Sequence, residues 1–110
     1  NYTVLIRPYN LIGTCYYRLG DYEKAIEYYT KSLEIKRFIL KQGNRHPSII
    51  KSYRNIRVCY FKLGDYKKAI RYYERIIRIK KLILLSILTF SIITLFKILF
   101  DLGLIKIKKI

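Results

Sequence analysis

The sequence predicts an all-α fold: two consecutive helix-turn-helix units followed by a long apolar C-terminal helix. Three observations predict it. Residues 19–29 read LGDYEKAIEYY and residues 63–73 read LGDYKKAIRYY, a self-match at an offset of 44. Within each copy, apolar residues recur at helical spacing on both sides of a Gly-Asp pair. After Lys81 the composition turns abruptly apolar. A chain of 110 residues leaves room for one small domain.

The repeat extends beyond its core: Tyr9 maps to Tyr53, Ile12 to Ile56, Cys15 to Cys59, Tyr16 to Tyr60, Leu33 to Ile77 and Ile35 to Ile79. Pro8 and Pro47 are expected at the first turn of each first helix, where a missing N–H removes no hydrogen bond. Tyr9, Ile12, Tyr16 and Leu19 then form one apolar stripe, and Tyr53, Ile56, Tyr60 and Leu63 the other. Gly20 and Gly64 suit the position just past a helix end, and Asp21 and Asp65 suit the cap of the next helix. Second helices follow, with stripes Tyr22, Ala25, Ile26, Tyr29, Leu33 and Tyr66, Ala69, Ile70, Tyr73, Ile77. The helices expected are residues 9–19, 22–40, 48–63 and 66–80. Their core is expected at Tyr16, Ala25, Tyr29, Tyr60, Ala69 and Tyr73. Gly43 and Asn44 end the first pair before Pro47 restarts the chain.

The pattern carried by Tyr9, Ile12, Gly13, Tyr16, Gly20, Tyr22, Ala25, Tyr29 and Leu33, with their partners 44 residues on, resembles the tetratricopeptide repeat (TPR). The connector Gly43-Asn44-Arg45-His46-Pro47 resembles the linker of long-period repeats in kinesin light chain-like proteins. The resemblance covers residues 4–81 and implies an α-solenoid of antiparallel helix pairs winding as a right-handed superhelix. It also implies a non-enzymatic scaffold or adaptor that holds a peptide in the concave groove lined by the first helices. By spacing, Arg7, Asn10, Thr14, Tyr17 and Arg18 fall on that face of the first unit. Lys51, Arg54, Asn55, Val58, Phe61 and Lys62 fall on that face of the second. Asn10 and Asn55 match the family's Asn-Asn-Leu-Gly stretch in part. Arg57 stands where the family usually has Gly, and Ser32 and Ile76 where it usually has Ala. Looser packing of the second unit is expected from this.

Residues 82–105 hold seventeen apolar residues, four Ser or Thr and two charges, Lys97 and Asp101. The uncharged stretch 82–96 spans roughly 22 Å as helix, short of the ~30 Å hydrocarbon core, whereas all of 82–105 spans about 36 Å. The sequence thus divides into two repeat units over 1–81 (about 4–41 and 48–81), an apolar helix over 82–105 and a basic tail over 106–110. The helix reads as a transmembrane anchor, with Lys97 and Asp101 one turn apart to pair or snorkel. Its rival is a degenerate third repeat or solenoid cap, because Leu99-Phe100-Asp101-Leu102-Gly103 echoes Tyr9-Asn10-Leu11-Ile12-Gly13 and would pack Leu88 and Ile92 on the second repeat. A shifted reading frame would produce the same jump. Lys106-Ile107-Lys108-Lys109-Ile110 resembles a dilysine retrieval signal. No Met occurs, so Asn1 is read as an internal residue of a longer product, and 1–6 is too short for a signal-peptide apolar region.

Catalysis has little to work with. The single His46 sits beside Pro47 with no nucleophile or carboxylate at a revealing spacing. Cys15 and Cys59 fall at equivalent repeat positions and read as small buried hydrophobes. Two Cys and one His cannot close a four-ligand zinc site, and no phosphate loop is present, so no metal or cofactor is expected. The twelve Tyr fall mainly on repeat-core positions, which favours packing over a base-stacking platform.

Charge separates the two units. Residues 1–44 carry seven basic and four acidic groups (+3), and residues 45–81 carry twelve and two (+10). Lys67, Lys68, Arg71, Arg75, Arg78, Lys80 and Lys81 abut the apolar segment. They read as a solvated helix face or as a juxtamembrane patch drawn to anionic lipid. This places the repeats on the cytoplasmic face of a membrane, the alternative being a soluble cytoplasmic protein. The expected partner is a protein or peptide, acidic to match Arg7, Arg18, Arg54 and Lys62, with self-association or further repeats completing the solenoid. A basic RNA- or polyanion-associated module is the alternative function, and a TPR appendage of a larger enzyme another. Nucleic acid ranks last, since no nucleic-acid motif accompanies the charge.

Overall fold

The computed structural model describes residues 2–40 and 46–106. Gly43, Asn44 and Arg45 of the connector, and 107–110 of the basic tail, lie outside the described residues. A single 3-10 turn, Tyr2–Leu5, leads into α1 (Ile6–Arg18). Then come α2 (Tyr22–Ile39), α3 (Ser48–Lys62) and α4 (Tyr66–Asp101), and no strand occurs among the described residues. The molecule is elongated, 65 × 35 × 22 Å.

Both inter-helix turns are built alike. Gly20 and Gly64 adopt φ of +81° and +79°, the left-handed region that only glycine enters cheaply. The N–H of Asp21 donates to the Tyr16 carbonyl (2.9 Å) and that of Gly20 to the Tyr17 carbonyl (3.0 Å), closing the last turn of α1. Asp65 and Gly64 repeat the bonds onto Tyr60 and Phe61, at 3.0 Å each. Each Asp then caps the next helix, its carboxylate accepting from the Lys24 or Lys68 N–H at 3.2 Å. α1 begins at Ile6, earlier than the expected residue 9, because Pro8 lies in the first turn and its ring displaces no intrahelical donor.

α3 is the centre of the core. Ile49, Tyr53, Ile56 and Cys59 are all buried, against Ala25, Tyr29 and Leu33 of α2 on one side and Ile76 and Ile79 of α4 on the other. Across the two-repeat boundary the Lys36 ammonium donates to Ser52 Oγ (3.0 Å), and Arg37 Nη2 donates to the Tyr53 hydroxyl (2.6 Å). Burial, aided by Lys51, lowers the pKa of Lys36. Inside each repeat an aromatic pair recurs with the same geometry: Tyr16 stacks on Tyr28 at 5.6 Å and Tyr60 on Tyr72 at 5.7 Å.

Several expected core positions are not core. Tyr73 and Tyr66 are exposed, and Tyr16 and Tyr60 are half-buried. Cys15 is exposed, whereas Cys59 is fully buried and its thiol is pushed up to about 11 by desolvation. Among the described residues no helix packs on the outer side of α1 or of the α3–α4 pair, which leaves Cys15 open at one end and Tyr66 and Tyr73 at the other.

The apolar segment is not a separate helix. It continues the second helix of the second repeat, so α4 runs 36 residues without interruption, about 54 Å long. Leu88 and Ile92 stand exposed, so the segment does not cap the second repeat.

Candidate functional site

Helical spacing sets Arg7, Asn10, Thr14, Tyr17 and Arg18 on one side of α1, and Lys51, Arg54, Asn55, Val58, Phe61 and Lys62 on the matching side of α3. Arg7, Arg18, Lys51, Arg54 and Lys62 are exposed, and Asn10 and Asn55 are half-buried. The two Asn side chains make no hydrogen bond to another described residue. Thr14 is committed to the fold: its hydroxyl bonds the Asn10 carbonyl (3.0 Å) and meets the Tyr29 hydroxyl at 2.9 Å. Tyr17 is half-buried edge-on to Tyr22, whereas Phe61, edge-on to Tyr66 in the same geometry, is 59% exposed.

Val58 and Phe61 do meet other residues at a cavity. With Arg57 from α3, and Tyr66, Ala69, Ile70 and Tyr73 from α4, they line an open hollow of about 460 Å³ on the end face of the second repeat. Its residues are the 44-residue counterparts of Gly13, Thr14, Tyr17, Tyr22, Ala25, Ile26 and Tyr29. In the first repeat Ala25 and Tyr29 are in the core with α3, fully buried and 5% exposed, and Tyr17, Tyr22 and Ile26 pack against them. In the second repeat Ile70 and Tyr73 are about half exposed, at 55% and 49%. Sequence reasoning missed the Arg57, Tyr66, Ala69, Ile70 and Tyr73 contribution. Among the described residues, no helix packs on the second copy of these positions as α3 packs on the first.

A local exchange accompanies the difference. A Cβ on Gly13 would lie 2.8 Å from the Tyr29 ring, so only glycine lets that ring lie flat against α1. Arg57 replaces the glycine in the second repeat, and its guanidinium sits 5.4 Å from the centroid of the half-exposed Tyr73 ring.

The remaining polar groups are structural. His46 Nδ1 accepts from the Ser48 N–H (3.2 Å) and meets Ser48 Oγ at 2.8 Å, tying down the start of α3. Ser32 donates to the Ile6 carbonyl at 3.1 Å. The basic residues of α4 are exposed; Lys68 pairs with Asp65 at 3.8 Å, and Arg75 lies over Tyr72 at 4.9 Å. Among the described residues no cluster of three His, Cys, Asp or Glu could hold a metal.

α4 alone among the described helices is long and apolar enough to cross a membrane, with a mean hydropathy of 2.4 over its best window and none of that window buried. The hydroxyls of Ser86, Thr89 and Thr94 donate back to the carbonyls four residues earlier, at 2.8–2.9 Å. Lys97 and Asp101 are both exposed and form no ion pair with each other.

A family model described as tetratricopeptide repeat matches residues 4–81. No curated protein matches the chain.

Proposed function

The chain belongs to the tetratricopeptide repeat family, whose repeats generally mediate protein–protein interaction, and from that premise we propose that it is a membrane-anchored adaptor. The repeats hold a peptide of a partner protein in the groove of α1 and α3, and α4 carries them on a bilayer. Within the family, the 44-residue period and the Gly43–Pro47 linker support a place among long-period repeats of the kinesin light chain kind. The chain supplies binding and no catalysis.

The observation that carries the anchor is the bare apolar half of α4. A soluble protein hides such a surface, since water makes each exposed large aliphatic side chain unfavourable by roughly 1.5–3 kcal/mol relative to burial. Here residues 82–101 extend about 30 Å, the thickness of a hydrocarbon core. Three of the four hydroxyls along them, those of Ser86, Thr89 and Thr94, are satisfied within the helix, as suits hydrocarbon. Lys97 and Asp101 lie near the far end, where their side chains reach the headgroups. At the near end Arg78, Lys80 and Lys81 supply positive charge, which favours the repeats on the cytoplasmic side.

Support for the peptide groove is the row of exposed cations Arg7, Arg18, Arg54 and Lys62 around the unpaired Asn10 and Asn55 amides. Such a row suits an extended acidic peptide, with the amides on its backbone. Carbonate extraction of membranes from cells expressing the chain tests the anchor: it stays in the pellet, and recovery in the supernatant contradicts anchoring. For the groove, Arg54→Glu with Lys62→Glu abolishes binding of an extended acidic peptide while helicity is unchanged. Binding that survives the pair places the ligand elsewhere.

A further inference from the structure

The end face of the second repeat has the form of a helix-binding surface. In the first repeat the equivalent residues accept α3, which covers Ala25 and Tyr29 completely or nearly so. Among the described residues nothing takes that role for Ala69, Ile70 and Tyr73, which leaves a hollow of about 460 Å³ between α3 and α4.

Charge decides what fits there. α3 carries Lys51, Arg54, Arg57 and Lys62 and no acidic residue, and it lies on α2, which carries Glu23 and a Glu27 paired with Lys31 at 3.4 Å. Glu23 shares a cleft with Lys68 where α2 meets the α3–α4 turn. Forty-four residues on, those two glutamates are replaced by Lys67 and Arg71, both exposed beside Tyr66 and Ile70. Arg57 adds a third cation at the lip, and on the same stretch of α4 only Glu74 opposes them. A basic helix is therefore repelled by this face. That excludes α1 of a second copy as the preferred occupant, since α1 bears Arg7 and Arg18 and no acidic residue. The chain's own apolar segment is also committed elsewhere, because it leaves the repeat as a straight continuation of α4.

We infer that the end face between α3 and α4 is a docking site for an acidic amphipathic helix of a partner protein, adjoining the concave groove at Val58 and Phe61 but centred on α4. Its apolar stripe, at i, i+3 or i+4, and i+7, seats over Ala69, Ile70 and Tyr73. Its flanking carboxylates face Lys67 and Arg71 on one side and Arg57 on the other. This site rests on the reading of the chain as a protein-binding module, and it names a second ligand class for it.

Binding of fluorescent peptides to the full chain in non-ionic detergent micelles tests the inference. The probe is a stapled helix with a leucine stripe flanked by glutamates, beside a scrambled helix of the same composition and a peptide of residues 6–18 of this chain. The stapled helix binds, the scrambled one binds about tenfold more weakly, and Lys67→Glu with Arg71→Glu weakens the stapled helix about tenfold. The same double variant, which restores the charges of the first repeat, gains binding of the 6–18 peptide. Arg54→Glu with Lys62→Glu changes binding of the stapled helix by less than about twofold. Loss in that concave-face variant alone overturns the end-face site and leaves the groove reading standing. Equal binding of the scrambled helix overturns it in favour of plain charge attraction. Self-association blocked by the 6–18 peptide overturns it in favour of a second copy. If neither the stapled helix nor an extended acidic peptide binds, the end-face site and the groove reading fail together.

Discussion

The two repeats share eleven-residue cores that differ at two positions, yet one is closed and the other open. Tyr29 is 5% exposed and Tyr73 49%. The contrast teaches that in a solenoid the burial of a residue belongs to the boundary between units, not to the unit. α3 closes the first repeat, and α4, in place of turning back to start a third, runs on as an apolar rod. Residues that look interchangeable in sequence therefore carry different energies, and the open copy is the one left available to a partner.

The largest expected break in this comparison is at the tyrosines. Tyr29→Ala opens a void against Gly13 and α3 and destabilises the fold by about 3 kcal/mol. Tyr73→Ala costs under about 1 kcal/mol, because half of that ring already lies in water. Thermal denaturation of both variants, monitored by circular dichroism in detergent micelles, reads the difference. Similar shifts would mean that the second face is covered as well.

High pH acts mainly on the closed boundary. The Cys59 thiol is held at about 11, above its unfolded value near 9, by desolvation. The folded state therefore favours the protonated form, and its contribution is present below about 9 and lost as pH rises through 11. The loss reaches roughly 2 kcal/mol by about pH 11. Tyr29 and Tyr60, also raised by burial, act in the same direction above their ordinary range. Lys36 acts oppositely, since its lowered pKa means that ionised burial is unfavourable until the amine deprotonates. Cys59→Ala flattens the fall in melting temperature between about pH 9 and 11, read by thermal denaturation at a series of pH values.

At the glycine contact, Gly13→Ala drives a Cβ into the Tyr29 ring and costs about 1–2 kcal/mol, although alanine is the better helix former. Arg57→Gly does not reconstitute the closed arrangement. With no helix among the described residues above Tyr73 to hold the ring down, the change costs about 1 kcal/mol through helix propensity. The smallest effect is at the hydroxyl pair. Thr14→Val removes the Tyr29 partner and costs about 1 kcal/mol or less, while the equivalent Val58→Thr gains nothing, since the half-exposed Tyr73 hydroxyl has water to bond. Urea midpoints for the four variants establish the order.

What the sequence discloses follows the range of the interaction involved. The Gly-Asp turns, both Asp caps and the buried Ala25 and Ala69 are written in residues a few positions apart, so the repeat register is legible. The start of α1 is less so, because a proline in the first turn does not mark which of its positions comes first. The exposure of Tyr73, Tyr66 and Cys15 is not legible. It depends on whether another helix lies across the unit, a non-local fact that the repeat pattern makes look settled. The basic and polar face of α1 and α3 can be placed by spacing, whereas the end hollow needs two helices and the absence of a third. Its sequence traces are the change of Gly13 into Arg57 at the lip and of Glu23 and Glu27 into Lys67 and Arg71 beside it.

Site-resolved alkylation of the two thiols in the folded full chain tests the closed-versus-open account most directly, because Cys15 and Cys59 occupy the same repeat position on either side of it. Mass spectrometry of native protein treated with iodoacetamide near neutral to mildly alkaline pH should find Cys15 modified rapidly and Cys59 modified only when denaturant unfolds the chain. Comparable rates at both cysteines under native conditions would contradict the account, since α3 would then not be enclosed between α2 and α4.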